Sequence, residues 1–174
     1  MFWLSIIKNF IKILRQGQTP AQIAGGFALG ALVGIAPVFT LQGLLIWLVI
    51  LSLDVNLSAA ILSFTLFTLI AYILDPLFHA LGYFLLVNAG GLHGLWTSLY
   101  NAPLAPLTRF NNTIVMGSFV CGLLLLLPIY FGLKRFVVAY RTHIGARVER
   151  WKIYQVINKS ALARWYGKIR SLGE

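Results

Sequence analysis

The chain has 174 residues, 59% of them hydrophobic and 10% charged, with a formal net charge of +10 and a mean hydropathy of +0.84. Soluble globular domains carry about 25% charged residues and lack apolar stretches of about 20 or more. The composition therefore excludes an ordinary soluble domain and implies an integral membrane protein with one compact domain.

The charge is segregated. Residues 1–20 carry Lys8, Lys12 and Arg15 with no acid, and residues 134–174 carry ten Lys and Arg against Glu149 and Glu174. Between them, residues 21–133 hold Arg109 against Asp54 and Asp75. Basic segments flanking apolar spans mark the cytoplasmic side, so both termini are expected there. Lys8, Lys12, Arg15, Lys134 and Arg135 are expected to touch anionic lipid head groups. No nucleic-acid-recognition motif accompanies the charge, and nucleic acid is not an expected partner.

In chain order, "MFWLSIIKNFIKILRQ" puts Ser5, Lys8, Asn9, Lys12 and Arg15 on one helical face and most of its apolar residues on the other. That pattern predicts an amphipathic helix in the membrane surface over residues 1–18. "QGQTP" then turns the chain, and Pro20 suits the first position of a new helix. The membrane domain is expected over 19–133 and a basic cytoplasmic amphipathic tail over 134–174.

The apolar run 21–53 would be about 50 Å long as one helix, which exceeds the roughly 30 Å core of a bilayer. Pro37 divides it in two. The run 57–87 is expected to divide likewise at "LDPLF", with Asp75 as N-cap and Pro76 as the first residue of a new helix. Two cytoplasmic termini require an even number of full crossings. A hairpin of two half-helices over 21–53, entering and leaving on the cytoplasmic side, meets that condition. Residues 57–74 then cross outward, 76–87 form a short helix in or along the outer leaflet, and 112–133 return. Four full spans have the same parity. In the connecting segment 88–110, Trp96 and Tyr100 suit an interfacial belt, and Asn111 or Asn112 is placed to cap the last span. The expected fold class is thus an all-α integral membrane protein. It is a Pro-broken, re-entrant helical hairpin plus two or more transmembrane helices, with amphipathic surface helices at both ends.

Gly26, Gly30 and Gly34 recur every four residues and form one small-residue stripe, which lets helices approach closely in a bilayer. The stripe serves packing within the chain or a seam with a partner or a second copy. A helix broken in lipid frees backbone carbonyls that must be buried or line a wet cavity, and broken half-helices build substrate sites in transporters. Pro37, Thr40 and Gln42 at the first break, with Asp75, Pro76 and His79 at the second, are therefore the candidate substrate site. The expected role of Thr40 and Gln42 is to satisfy the freed carbonyls. Asp75 and His79 share a helical face and are the two ionisable candidates inside the apolar runs. Too few ligands accompany them for a metal site. No catalytic constellation or phosphate loop is present in the sequence, so neither an enzyme nor a cofactor is expected.

The stretch from "TPAQIAGGFALGALVGIAPVF" to "LDPLFHALGYFLL" resembles the bacterial membrane family catalogued as domain of unknown function 2062. Gly26, Gly30, Gly34, Pro37, Asn56, Leu57, Pro76 and Gly82 match its pattern over about residues 19–88, and Asp75 departs from an expected asparagine. The resemblance implies a bacterial inner-membrane protein, and some members accompany large envelope proteins that bridge lipids across the periplasm. Two functional expectations compete. One is a small non-enzymatic subunit that docks an envelope partner and assists lipid transport or organisation. The other is a small transporter or channel that uses the broken half-helices.

Overall fold

A computed structural model of the chain describes residues 18–144. The surface helix expected over 1–18 lies outside it but for Gln18, as does the tail beyond residue 144.

Helix α1 (Pro20–Ile35) starts where the sequence places it. Thr19 accepts the Gln22 amide N–H on its hydroxyl at 3.2 Å, and Gln22 Oε1 accepts the Thr19 N–H at 2.8 Å. This reciprocal cap, with Pro20 at the first position, satisfies donors that a helix start otherwise leaves open. The helix stops at Ala36 because the residue before a proline is pushed out of the helical region; Ala36 sits at ψ 148°. Helix α2 (Leu41–Ser52) begins after the break, with Thr40 accepting the Gly43 N–H at 3.3 Å. The expected interruption at Pro37 is thus present.

Helix α3 (Leu57–Tyr83) is capped by Asn56, whose Oδ1 accepts the Ala59 N–H at 2.7 Å. It runs straight through residues 74–78, which corrects the expected helix start at Asp75 and Pro76 and the separate short helix over 76–87. Pro76 lacks one N–H, that for the Tyr72 carbonyl. Ending the helix in lipid would free several backbone groups, each costing several kcal/mol. The single lost bond is the smaller penalty, so the helix continues. A wider π-type turn (Phe84–Asn88) extends it.

A short helix α4 (His93–Tyr100), a 3-10 turn (Ala105–Thr108) and helix α5 (Thr113–Ala139) complete the first compact unit, which reaches Val137. Residues from Val138 belong to a second unit, which in its described part holds the end of α5 and a π-type turn (Tyr140–Ile144). Asn112 caps α5 as expected, its Oδ1 accepting the Ile114 and Val115 N–H groups at 2.9 and 3.1 Å. No strand occurs among the described residues. Two helical stretches, Leu57–Asn88 and Thr113–Thr142, are long and apolar enough to cross a bilayer. They leave large apolar side chains such as Ile73 (79% exposed) and Leu124 (70%) facing outward, as lipid contact allows and a soluble core helix does not.

Helices α1 and α3 run parallel in close contact. A Cβ on Gly26 would strike the Asn56 carbonyl, one on Gly30 the Ala60 carbonyl, and one on Gly34 would lie 2.7 Å from Phe64 O. Both sequences advance together, which fixes the direction. Ala24, Ala28, Ala31, Ala59 and Ala60 are almost wholly buried. Val33, Ile50 and Ala60 form a core from all three helices, and Trp47 meets Phe64 edge-on at 5.7 Å between ring centroids. The chain returns to its start. Asn56 N–H donates to Gln22 O at 3.0 Å, and Gln22 Nε2 donates to Asp54 Oδ2 at 2.6 Å. The beginning of α1, the end of α2 and the beginning of α3 are therefore tied at one end. A second close crossing joins α3 to α5, where a Cβ on Gly82 would strike Thr113 O and one on Gly117 would strike Phe78 O.

Candidate functional site

The break at Pro37 is closed by its own side chains. Thr40 is buried and its hydroxyl donates to Pro37 O at 2.8 Å, while the same oxygen caps α2. Thr40 therefore performs the satisfying role expected of it. Gln42 does not. Its Oε1 is buried and makes no hydrogen bond among the described residues, and its side chain lines a cavity of about 310 Å³.

Neither Pro37 nor Pro76 lines that cavity. Its wall comes from Gln42 on α2, Trp96 and Leu99 on α4, Phe110 in the following loop, and Met116 and Phe119 on α5. Trp96 is held in place by its indole N–H, which donates to Leu85 O at 3.0 Å. Its ring stacks obliquely on Phe110 at 6.1 Å. The exposed surface of the wall is almost entirely carbon and accepts hydrocarbon, with Gln42 and Thr108 its two polar side chains.

A second, more open cavity of about 400 Å³ lies against the first and shares Trp96 and Phe110 with it. Its remaining wall includes Thr97, Tyr100, Asn101 and Asn111. Asn101 Nδ2 donates to Thr97 O at 3.0 Å. The Tyr100 hydroxyl and the Asn111 amide make no hydrogen bond among the described residues. Between the cavity residues Thr108 and Phe110 stands Arg109, exposed, with φ 55° and ψ 31°. It is the one non-glycine residue with positive φ among those described. That conformation costs an ordinary residue about 1–2 kcal/mol.

The other sequence candidates are separate. His79 Nδ1 lies 2.7 Å from Thr113 Oγ1 and its ring faces Tyr83. Asp75 is half-buried in mid-helix, where it caps nothing, and it makes no hydrogen bond or ion pair among the described residues. Of Pro37, Thr40, Gln42, Asp75, Pro76 and His79, Gln42 lines the 310 Å³ cavity and the others do not. No group of three or more His, Cys, Asp and Glu gathers among the described residues. Gly26, Gly30 and Gly34 are covered by α3 within the chain. Lys134 is half-buried with its ammonium 5.9 Å from the Tyr130 ring centroid, and Arg135 is exposed. Lys8, Lys12 and Arg15 fall outside the described residues. Sequence reading missed Leu99, Phe110, Met116 and Phe119, and the signal available was the placing of Trp96, Tyr100 and Phe110 among the prolines and other turn residues of 96–110.

Residues 5–144 match the family described as "Uncharacterized protein conserved in bacteria (DUF2062)". The chain belongs to this family. It is also similar to a protein of Treponema pallidum (strain Nichols), described as an uncharacterized protein, with 27% identity over 156 residues. That likeness covers 90% of this chain and 96% of the relative. No solved structure matches the chain. The family's span takes in α1 to α5 and both cavities, so the second crossing and the aromatic site belong to the same family domain as the glycine stripe.

Proposed function

We propose that the chain is a small non-enzymatic subunit of the bacterial inner membrane that docks an envelope protein and helps to hold or pass lipid at the outer face. The observation that carries this reading is the carbon-walled cavity of about 310 Å³ beneath the 93–110 segment. A tail of a lipid is the hydrocarbon at hand in a bilayer, whereas a path for an ion would need polar groups along it.

Length and charge support one arrangement in the membrane. Helices α1 and α2, with 16 and 12 residues, are about 24 and 18 Å long. Both fall short of the roughly 30 Å hydrocarbon core. The hairpin is re-entrant, entering and leaving at the cytoplasmic end where Gln22 meets Asp54 and Asn56. Helix α3 crosses outward and α5 returns to Lys134 and Arg135, so both termini are cytoplasmic and the two cavities face the outer leaflet. Reporters fused after residues 20, 95 and 174 should read inside, outside and inside; a cytoplasmic reading at 95 overturns the arrangement. Affinity purification of the full chain from native membranes should recover an envelope protein in stoichiometric amount together with phospholipid. Recovery of a bare monomer refutes the function.

A second reading, a small solute transporter built on the half-helices, draws on one observation: the unpartnered Gln42 oxygen beside the break. Reconstituted protein should then move solute in a manner that Gln42→Leu abolishes.

A further inference from the structure

The two adjoining cavities differ in chemistry, and the difference describes one ligand. The inner one is walled by carbon and the outer one is edged by Tyr100, Asn101 and Asn111, with the Trp96–Phe110 pair as their common wall. A molecule filling both must be apolar at one end and hydrogen-bonding at the other. The charge in this stretch of sequence has one sign. Arg109 is the one cation of residues 21–133, and no acidic residue occurs between Asp75 and Glu149. It is flanked in sequence by Thr108 and Phe110 of the inner cavity, and it is exposed.

We propose that the paired cavities form a binding site for one anionic phospholipid, a single acyl segment in the inner cavity and the phosphate-bearing head in the outer one beside Arg109. The proposal rests on the reading that the chain handles lipid, and adds which lipid and where. At roughly the 30 Å³ that a water-sized unit takes in a liquid, 310 Å³ admits a segment of about ten carbons. An apolar hollow left empty loses dispersion contacts on its lining, so a tail fills it. Moving a tail out of a bilayer yields no hydrophobic gain, because lipid is as apolar as the cavity. Selection among lipids therefore falls to the head. A guanidinium with open donors favours phosphate esters, Tyr100 and Asn111 add neutral hydrogen bonds, and the absence of carboxylates from this stretch of sequence leaves an anionic head unopposed.

The test uses the purified full chain in detergent, titrated by native mass spectrometry with phosphatidylglycerol and phosphatidylethanolamine of identical tails. Wild type should prefer phosphatidylglycerol about fivefold, the ratio that one surface cation gives with an anionic lipid. Arg109→Gln should erase the preference and keep the binding, and Arg109→Lys should retain most of it. Met116→Trp, or Val120→Trp if the first fails to fold, should reduce binding of both lipids alike. A phosphatidylglycerol with a photoreactive group at the end of one tail should label residues 115–123 in wild type. Lipid that binds wild type, Arg109→Gln and Met116→Trp equally, or labels elsewhere, overturns this site while leaving lipid handling intact. Glycerol phosphate competing as well as the whole lipid overturns the tail cavity. No retained lipid at all refutes the functional reading beneath it.

Discussion

Two regions of the chain solve opposite packing problems. Where α1 meets α3, glycines and alanines bring backbones so close that a single added carbon on Gly30 would meet the Ala60 carbonyl. Around Trp96, Phe110 and Phe119, large rings prop the segments apart and leave some 310 Å³ unfilled. Small side chains here build the rigid part and large ones build the space. In water the reverse is familiar, since bulky residues supply most core stability by leaving solvent. In a bilayer that gain is absent between helices, and close backbone contact takes its place.

Substitutions can break this contrast. The largest expected effect is Gly30→Val, which must push α1 off α3 and should cost about 3 kcal/mol or more, seen as lost folded protein in size-exclusion and thermal melts. A melt unchanged within error would mean that the two helices do not pack as described. Gln42→Leu sits in the loose region and should raise stability, because it removes a buried amide oxygen whose missing partner costs about 1–3 kcal/mol. A loss of stability there would reveal a partner for Gln42 and remove the observation on which the solute-transport reading draws. The two capping asparagines sharpen the comparison. Asn56 is 1% exposed and Asn112 is exposed, so Asn56→Ala should cost about 1–2 kcal/mol and Asn112→Ala about half that, by denaturant titration in matched micelles. Equal losses would show that burial at the first site contributes nothing. The smallest effect has the opposite sign from the first. A Cβ at Gly132 meets nothing within 4 Å, so Gly132→Ala should gain up to about 1 kcal/mol from helix propensity alone.

Much of the tight region was legible in the sequence and little of the loose one. Pro37 stops a helix because Ala36 before it cannot stay helical, Pro20 opens one, and Asn112 acts as a cap through contacts within three residues. Those are local effects, and local reading finds them. Pro76 misled for a physical reason: the same residue that ends a helix in water is bridged in lipid, where leaving a helix exposes more backbone than it relieves. The glycine spacing foretold a close contact but not its partner, which only the 26-to-56 register supplies. The cavity was invisible because Gln42, Trp96 and Met116 come from segments separated by more than fifty residues of chain at one end, and no periodicity in any of them encodes the hollow they leave between them. Asp75 and His79 drew notice as rare charges, yet the structure sets His79 on Thr113 and leaves Asp75 apart from the cavity.

The parallel register of α1 on α3 also dictates an order of events at birth. Gly26 faces Asn56, Gly30 faces Ala60 and Gly34 faces Phe64, so each contact waits for chain made thirty residues later. At about 5–20 residues per second, that is a delay of roughly 2–6 s on the ribosome. During it the short first helix has neither the length to cross the bilayer nor the surface that will cover its bare backbone. The glycine face of α1 therefore stays uncovered until α3 is made, and the proposed placement of the hairpin in lipid requires that the two be released together.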